Sequence, residues 1–182
     1  MTNTSLLVLV LVIVAAAVLV WTYFSRRRAN LKARFGPEYE RAVHDTGSAR
    51  RAEAALEARA KRVTRYAIHP LRREEAVRFS DNWRRVQARF VDDPAAAVAE
   101  ADTLVTELMT ARGYPMSEFD RRAEDLSVDH ADVVNHYRQA HAIAVQHARQ
   151  GASTEDLRQA VVHYRALFDD LLAERDVERR PA

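Results

Sequence analysis

The sequence predicts an all-α protein in which one N-terminal transmembrane helix precedes a helical bundle of about five or six helices. Residues 6–24 (LLVLVLVIVAAAVLVWTYF) form an unbroken apolar run without charge, followed at once by Ser25-Arg26-Arg27-Arg28. The chain has only four glycines, and no tract alternates β-branched with polar residues as a half-buried strand would. Stretches rich in Ala, Arg, Glu and Leu, all strong helix formers, dominate instead.

The apolar run comes first. Its 19 residues, at a helical rise of ~1.5 Å, cover about 28 Å, close to the ~30 Å hydrocarbon core of a bilayer. A helix satisfies its own backbone hydrogen bonds, which lipid cannot do. Trp21 and Tyr23 fall at the end of the run, where amphipathic rings favour the interface. A cleaved signal peptide needs a basic start, a shorter apolar core and small residues at the cleavage site. Residues 1–5 carry no Lys or Arg, and Trp21, Tyr23 and Phe24 stand where small residues are needed, so the run is expected to be an uncleaved anchor. Positive residues are retained in the cytoplasm. They come after the run (Arg26, Arg27, Arg28, Lys32, Arg34, Arg41) and none precedes it. The expected organisation is a short extracytoplasmic N-terminus (1–5), the span (6–24), a basic membrane-proximal helical segment (25–70), a cytoplasmic bundle (71–174) and a charged tail (175–182), all at the inner membrane. The absence of cysteine agrees, since nothing calls for an oxidising compartment.

Charge is segregated along the chain. Residues 25–73 hold 14 Lys+Arg against 5 Asp+Glu, and residues 74–182 hold 14 against 21. The basic half lies next to the span, where anionic headgroups attract it. Arg26, Arg27 and Arg28 are therefore assigned to topology and lipid headgroups. Nothing resembles a recognition helix or a base-stacking platform, so no nucleic acid is expected.

After the span, residues 25–35 are expected to continue helically until Gly36-Pro37, where proline suits the first turn of a new helix. Tyr39, Val43, Leu56, Val63 and Ala67 make a narrow stripe in a charged helix, with Gly47-Ser48 able to break it and an end at His69-Pro70. A helix from Leu71 to Val91 presents Phe79, Trp83, Val86 and Phe90 on one face, as core rather than as pocket lining. Asp93-Pro94 gives an N-cap and a first-position proline to a helix carrying Val98, Ala101, Val105 and Leu108 and stopping at Gly113. A turn at Tyr114-Pro115 leads to a short helix opened by Ser117 and closed near Leu126. Asp129 is expected to cap a helix to Gln150, ended by Gly151. The last helix starts near Ser153 or Thr154, with Glu155 and Asp156 in its first turn and a stripe of Leu157, Val161, Tyr164, Phe168 and Leu171.

The densest group of chemically capable side chains is Asp129, His130, Asn135, His136, Tyr137, His141 and His147. The histidines are spaced six, five and six, whereas ligands on one helix need three or four. His130 and His141 share a face but stand about 16 Å apart along the axis, so no metal ligand set is assigned. Tyr137 and His141 point inward with Val133, Val134 and Ala144, and His163 on the last helix can complete a polar cluster. No nucleophile elbow, phosphate loop, zinc spacing or dinucleotide fingerprint occurs, so neither catalytic residue nor cofactor is expected. Asp92-Asp93 and Asp169-Asp170 read as solvated pairs.

Four stretches together, Arg34-Phe35-Gly36-Pro37-Glu38-Tyr39, Phe90-Val91-Asp92-Asp93-Pro94, Arg112-Gly113-Tyr114-Pro115, and Leu126-Ser127-Val128-Asp129-His130 leading to Tyr137-Arg138 and His141, resemble a family of uncharacterised bacterial single-span membrane proteins with a helical cytoplasmic domain. The resemblance covers nearly all of the chain. It implies the same architecture, and it carries over no activity and no catalytic residue. The function expected is a membrane-tethered, non-enzymatic interaction or scaffold module, binding a protein partner or itself. The alternative is a small-ligand or pH-responsive sensor, or a minor enzyme, with Tyr137, His141 and His163 lining a pocket between the last two long helices.

Overall fold

The structure is a computed structural model that describes residues 3–173, with side chains from Leu7 onward. Met1 and Thr2 of the expected N-terminus, and the expected tail at 175–182, lie outside the described residues. Eight helices and no strand occur among the described residues: α1 (Asn3–Phe35), α2 (Pro37–Thr46), α3 (Ala49–Val63), α4 (Arg73–Asp92), α5 (Pro94–Ala111), α6 (Phe119–Leu126), α7 (Val134–Gln150) and α8 (Thr154–Ala173). Seven helices come after α1 among the described residues rather than five or six, because the glycine-containing junctions at Gly36 and Gly47 each separate a short helix of its own. The chain forms two compact units, Met1–Glu57 and Ala58–Ala182.

In the first unit α1 changes character along its length. Leu7 to Phe24 is apolar and exposed, with Leu19 and Trp21 about 70% accessible (69% and 71%), whereas Leu31 and Phe35 are buried. α1 is one helix long and apolar enough to cross a membrane. Its C-terminal end packs on α2, and Leu31, Phe35, Tyr39, Ala42, Ala52 and Leu56 form the small core of the unit. The turn between α1 and α2 is Gly36, at φ 46° and ψ −125°, a combination open only to a residue without Cβ. Pro37 then occupies the first turn of α2, where its missing N–H would have had no partner anyway.

The second unit is built around α5. This helix is buried along most of its length (Ala97, Val98, Ala101, Leu104, Val105, Leu108, Met109), and it packs against α4 and α8. α8 packs in turn on α7, its antiparallel neighbour across Gly151-Ala152-Ser153. The predicted stripes line the core: Phe79, Trp83 and Val86 from α4 and Leu157, Tyr164, Phe168 and Leu171 from α8 are buried in one cluster, Phe90 and Val161 pack against it half-buried, and Trp83 stacks on Phe168 at 4.7 Å. Full burial of each such side chain contributes roughly 1.5–3 kcal/mol.

The caps are only partly as expected. Asp93 opens α5 by accepting from Ala96 N–H at 3.0 Å, and Ser153 opens α8 in a reciprocal pair with Asp156, its N–H donating to Asp156 Oδ2 at 3.0 Å and its Oγ accepting from Asp156 N–H at 3.1 Å. Ser117 does not cap α6, which starts two residues later without a side-chain cap, and Asp129 does not cap α7. Residues 127–133 form successive turns instead, since Ser127, Val128 and His130 are buried and leave Asp129 outside. The helix expected to reach His69 ends at Val63, because residues 64–72 are drawn onto neighbouring elements. His69 N–H donates to Arg112 C=O at 3.0 Å, and Gly113 lies so close to Ala67 that a Cβ there would stand 2.3 Å from its carbonyl oxygen.

Candidate functional site

Two places hold the residues that the sequence singles out. The first is the arginine group behind the apolar run. As α1 continues without a break, Arg26, Arg27 and Arg28 point in successive directions ~100° apart. Arg27 meets Glu57 through two parallel hydrogen bonds. Arg28 Nε donates to Glu53 Oε1 at 2.9 Å, and the Tyr39 hydroxyl donates to the same oxygen at 3.0 Å. Glu53 is nearly buried. Desolvation opposes its charge, yet the hydrogen bonds from Arg28 and Tyr39 prevail and hold its carboxyl below the usual range. Two of the three arginines assigned to headgroups therefore also bind α3, while Arg26 has no ion-pair partner among the described residues. Lys32 reaches Glu40 at 3.0 Å and lies 4.9 Å from the centre of the Tyr39 ring.

The second is the histidine and tyrosine group of α7. Tyr137 is fully buried, its ring 4.8 Å from Phe119 of α6 and 6.4 Å from Tyr164 of α8. His141, one turn on, is half-buried and stacks on Phe119 at 3.6 Å with 10° between the planes. α5 contributes Asp102 and Thr106, and α6 contributes Arg122. The Tyr164 hydroxyl donates to Asp102 Oδ1 at 2.8 Å, and Arg122 Nη1 donates to Thr106 Oγ1 at 3.5 Å. The Tyr137 hydroxyl lies beside Thr106 and Arg122 without an aligned hydrogen bond, and burial pushes its pKa up to about 12. Burial also raises Tyr164, and it lowers His141 against the pull of Asp102.

His163 is not part of this group. It meets His136, with the two Nδ1 atoms 2.9 Å apart and the rings 5.1 Å apart. His136 and His141 point roughly 140° apart around α7. The structure thus joins Tyr137 to His141 and places His163 on another side of the helix. The contact between the imidazoles needs one donor and one acceptor, so it exists only while at least one ring is neutral. Desolvation, with the charge of His136 second, lowers His163.

Several polar residues that hold the second unit together are not evident from sequence. Arg112 is buried and donates to Leu171 C=O at 2.6 Å, at the end of α8. His130 pairs with Asp170, so Asp170 is no merely solvated acid. Asp125 is buried and accepts from Arg62 Nε at 2.7 Å and from the Tyr66 hydroxyl at 2.8 Å, while Arg59 and Arg62 reach Glu124. The one available signal is position: Asp102 and Thr106 directly follow the stripe residues Ala101 and Val105. Chemically, these groups bridge helices by charge and hydrogen bonds. Among the described residues no group of three or more His, Cys, Asp and Glu side chains is placed to hold a metal ion. No family model, no curated protein and no solved structure matches this chain.

Proposed function

We propose that this chain is a single-pass membrane protein of the bacterial single-span type, which holds its helical part at the inner membrane face and works by binding a protein partner or a second copy of itself. One observation carries the reading. α1 is a single helix whose apolar side chains from Leu7 to Phe24 are left exposed by the described residues, while its last turns are built into a folded core through Leu31 and Phe35. Exposed apolar surface on that extent needs lipid or another protein against it, and the helical backbone across Trp21, Tyr23 and Phe24 offers no small-residue cleavage segment. The basic residues behind the run favour a cytoplasmic location for the helices beyond it. The buried polar groups of the second unit link helices to one another, which suits a rigid binding surface better than a reaction centre.

The test is fractionation of cells expressing the full chain, then cross-linking of intact membranes. The full-length chain should stay with the membrane through alkaline carbonate, and a chain lacking residues 6–24 should move to the soluble fraction. Cross-linking should then trap either a dimer or a defined heteromer. A full-length chain released by carbonate would overturn the anchor. Recovery as a monomer alone, with no cross-linked species, would overturn the interaction role.

A further inference from the structure

Where the apolar part of α1 ends, a groove of about 660 Å³ opens between α1 and α3, within the 300–1,000 Å³ of ordinary ligand sites. It is lined by Trp21, Phe24, Arg27, Arg28, Arg50 and Glu53, with Ser25 and Ala54 between them. Aromatic faces and guanidinium groups therefore share one concavity. Its position decides what can enter: one wall is the last turn of the apolar run, so in a bilayer the groove lies at headgroup depth.

The charges in it do not cancel. Arg28 is matched by Glu53, and Arg27 is matched by Glu57. Arg50 has no ion-pair partner among the described residues, which leaves the groove with one uncompensated cation. Arg28 gives only its Nε to Glu53, and its side chain is still 56% exposed, so its terminal N–H groups can donate to a second acceptor. A guanidinium fork suits phosphate oxygens. Trp21 and Phe24, both largely exposed, offer apolar surface on the span side.

We propose that this groove binds the headgroup of an anionic phospholipid, its phosphate between Arg50 and Arg28 and its glycerol and upper acyl carbons against Trp21 and Phe24. A zwitterionic choline headgroup would bring a quaternary ammonium among three guanidiniums, so the site selects for net negative charge. The inference rests on the membrane-anchor reading, and it assigns the selectivity to Arg50, which lies far beyond Phe24 in sequence and is brought back to it by α2 and α3.

The chain contains two tryptophans. Trp83 is buried in the α4–α8 core, so a quencher carried on lipid reaches Trp21. The full chain is reconstituted in vesicles of phosphatidylcholine and phosphatidylglycerol at equal mole fraction, with bromine carried on one lipid or the other. Brominated phosphatidylglycerol should quench Trp21 as though enriched about fivefold around it, the effect of roughly one cationic side chain at a lipid surface. Arg50→Gln should bring the two lipids level. Arg51→Gln, which removes the same charge from the exposed neighbouring position of α3, outside this groove, should leave the preference in place. Equal quenching by both lipids in the unaltered chain, or an equal loss in both variants, overturns the site while leaving the anchor intact. Displacement of the preference by inorganic phosphate would make this a free-anion site and overturn the lipid assignment. Absence of quenching by either lipid would overturn the anchor reading itself.

Discussion

Tyr164 and Asp102 form a direct polar link between α8 and α5, and removing either side of it has different consequences. Tyr164→Phe deletes the donor and leaves Asp102, which is only half-buried, to water. The expected cost is about 1 kcal/mol. Asp102→Ala leaves a fully buried phenol without its acceptor, and the penalty rises to roughly 1–3 kcal/mol. Denaturant unfolding of the full chain in detergent, read by Trp83 where it stacks on Phe168, should place D102A below Y164F. The histidines give a pH dependence. Burial, the largest cause in both, depresses His141 and His163 in the folded state. The unfolded chain then binds more protons than the folded one as pH falls through the ordinary histidine range. Their contribution is complete above ~6.5 and is lost as pH falls below it. The groups facing His141 are Asp102, Arg122 and Asp120, and the group facing His163 is His136. Thermal melting from pH 7.5 to 5 should show a falling midpoint in the unaltered chain and a flatter profile in the H141Q/H163Q double variant. A profile of unchanged steepness would assign the loss to other groups.

Among the helices, the best test of local chemistry is the start of α5. Asp93 supplies an acceptor to an otherwise unpartnered N–H, and Pro94 sets the first turn. Asp93→Ala should lower stability by about 1 kcal/mol. Gly113→Ala should cost more, because the residue sits at φ 92° and its Cβ would collide with the Ala67 carbonyl. A melting midpoint no lower for G113A than for D93A would refute this close approach. The same contrast explains which helices can be read from sequence. Helix starts set by a short acceptor side chain, such as Asp93 or Ser153, are legible because the partner is three residues away. So are the stripes of α4, α5 and α8, whose period is intrinsic to the helix. The end of α3 is not, since nothing local in residues 65–67 stops a helix. Distant partners remove them from it: Asp125 for Tyr66, and Gly113 for Ala67. The start of α7 is hidden for a similar reason, with His130 drawn inward toward Asp170. Of the candidate cluster, the Tyr137–His141 pairing comes from a spacing of four. Placing His163 requires the register between α7 and α8, which only the folded hairpin supplies.

The proposed anchor and its arginines pose a question about order of events. Folded, Arg27 and Arg28 are held by Glu57 and Glu53, and paired charges are weaker topological signals than bare ones. On the anchoring proposed above, orientation would be set while the apolar helix enters the bilayer, before α3 packs against it, so that at that moment all three arginines would act as free cations. The two roles are therefore separable in time and by substitution. Glu53→Gln with Glu57→Gln removes both negative charges without touching the basic segment. This variant should melt at a lower temperature, since the charges that Glu53 presents to Arg28 and Glu57 to Arg27 are lost, yet keep the orientation of the parent chain. Replacing Arg26, Arg27 and Arg28 by Gln should instead give mixed orientations. Because the chain has no cysteine, single cysteines placed at Thr2 and Ala182 report each end to a membrane-impermeant thiol reagent. Intact cells should label at Thr2 and not at Ala182 for the parent chain and for E53Q/E57Q, and at both ends for the triple arginine variant. Labelling at Ala182 in the parent chain would reverse the assigned orientation. Mixed labelling in E53Q/E57Q would show that folding of α3 onto α1, rather than bare charge, decides which way the helix inserts.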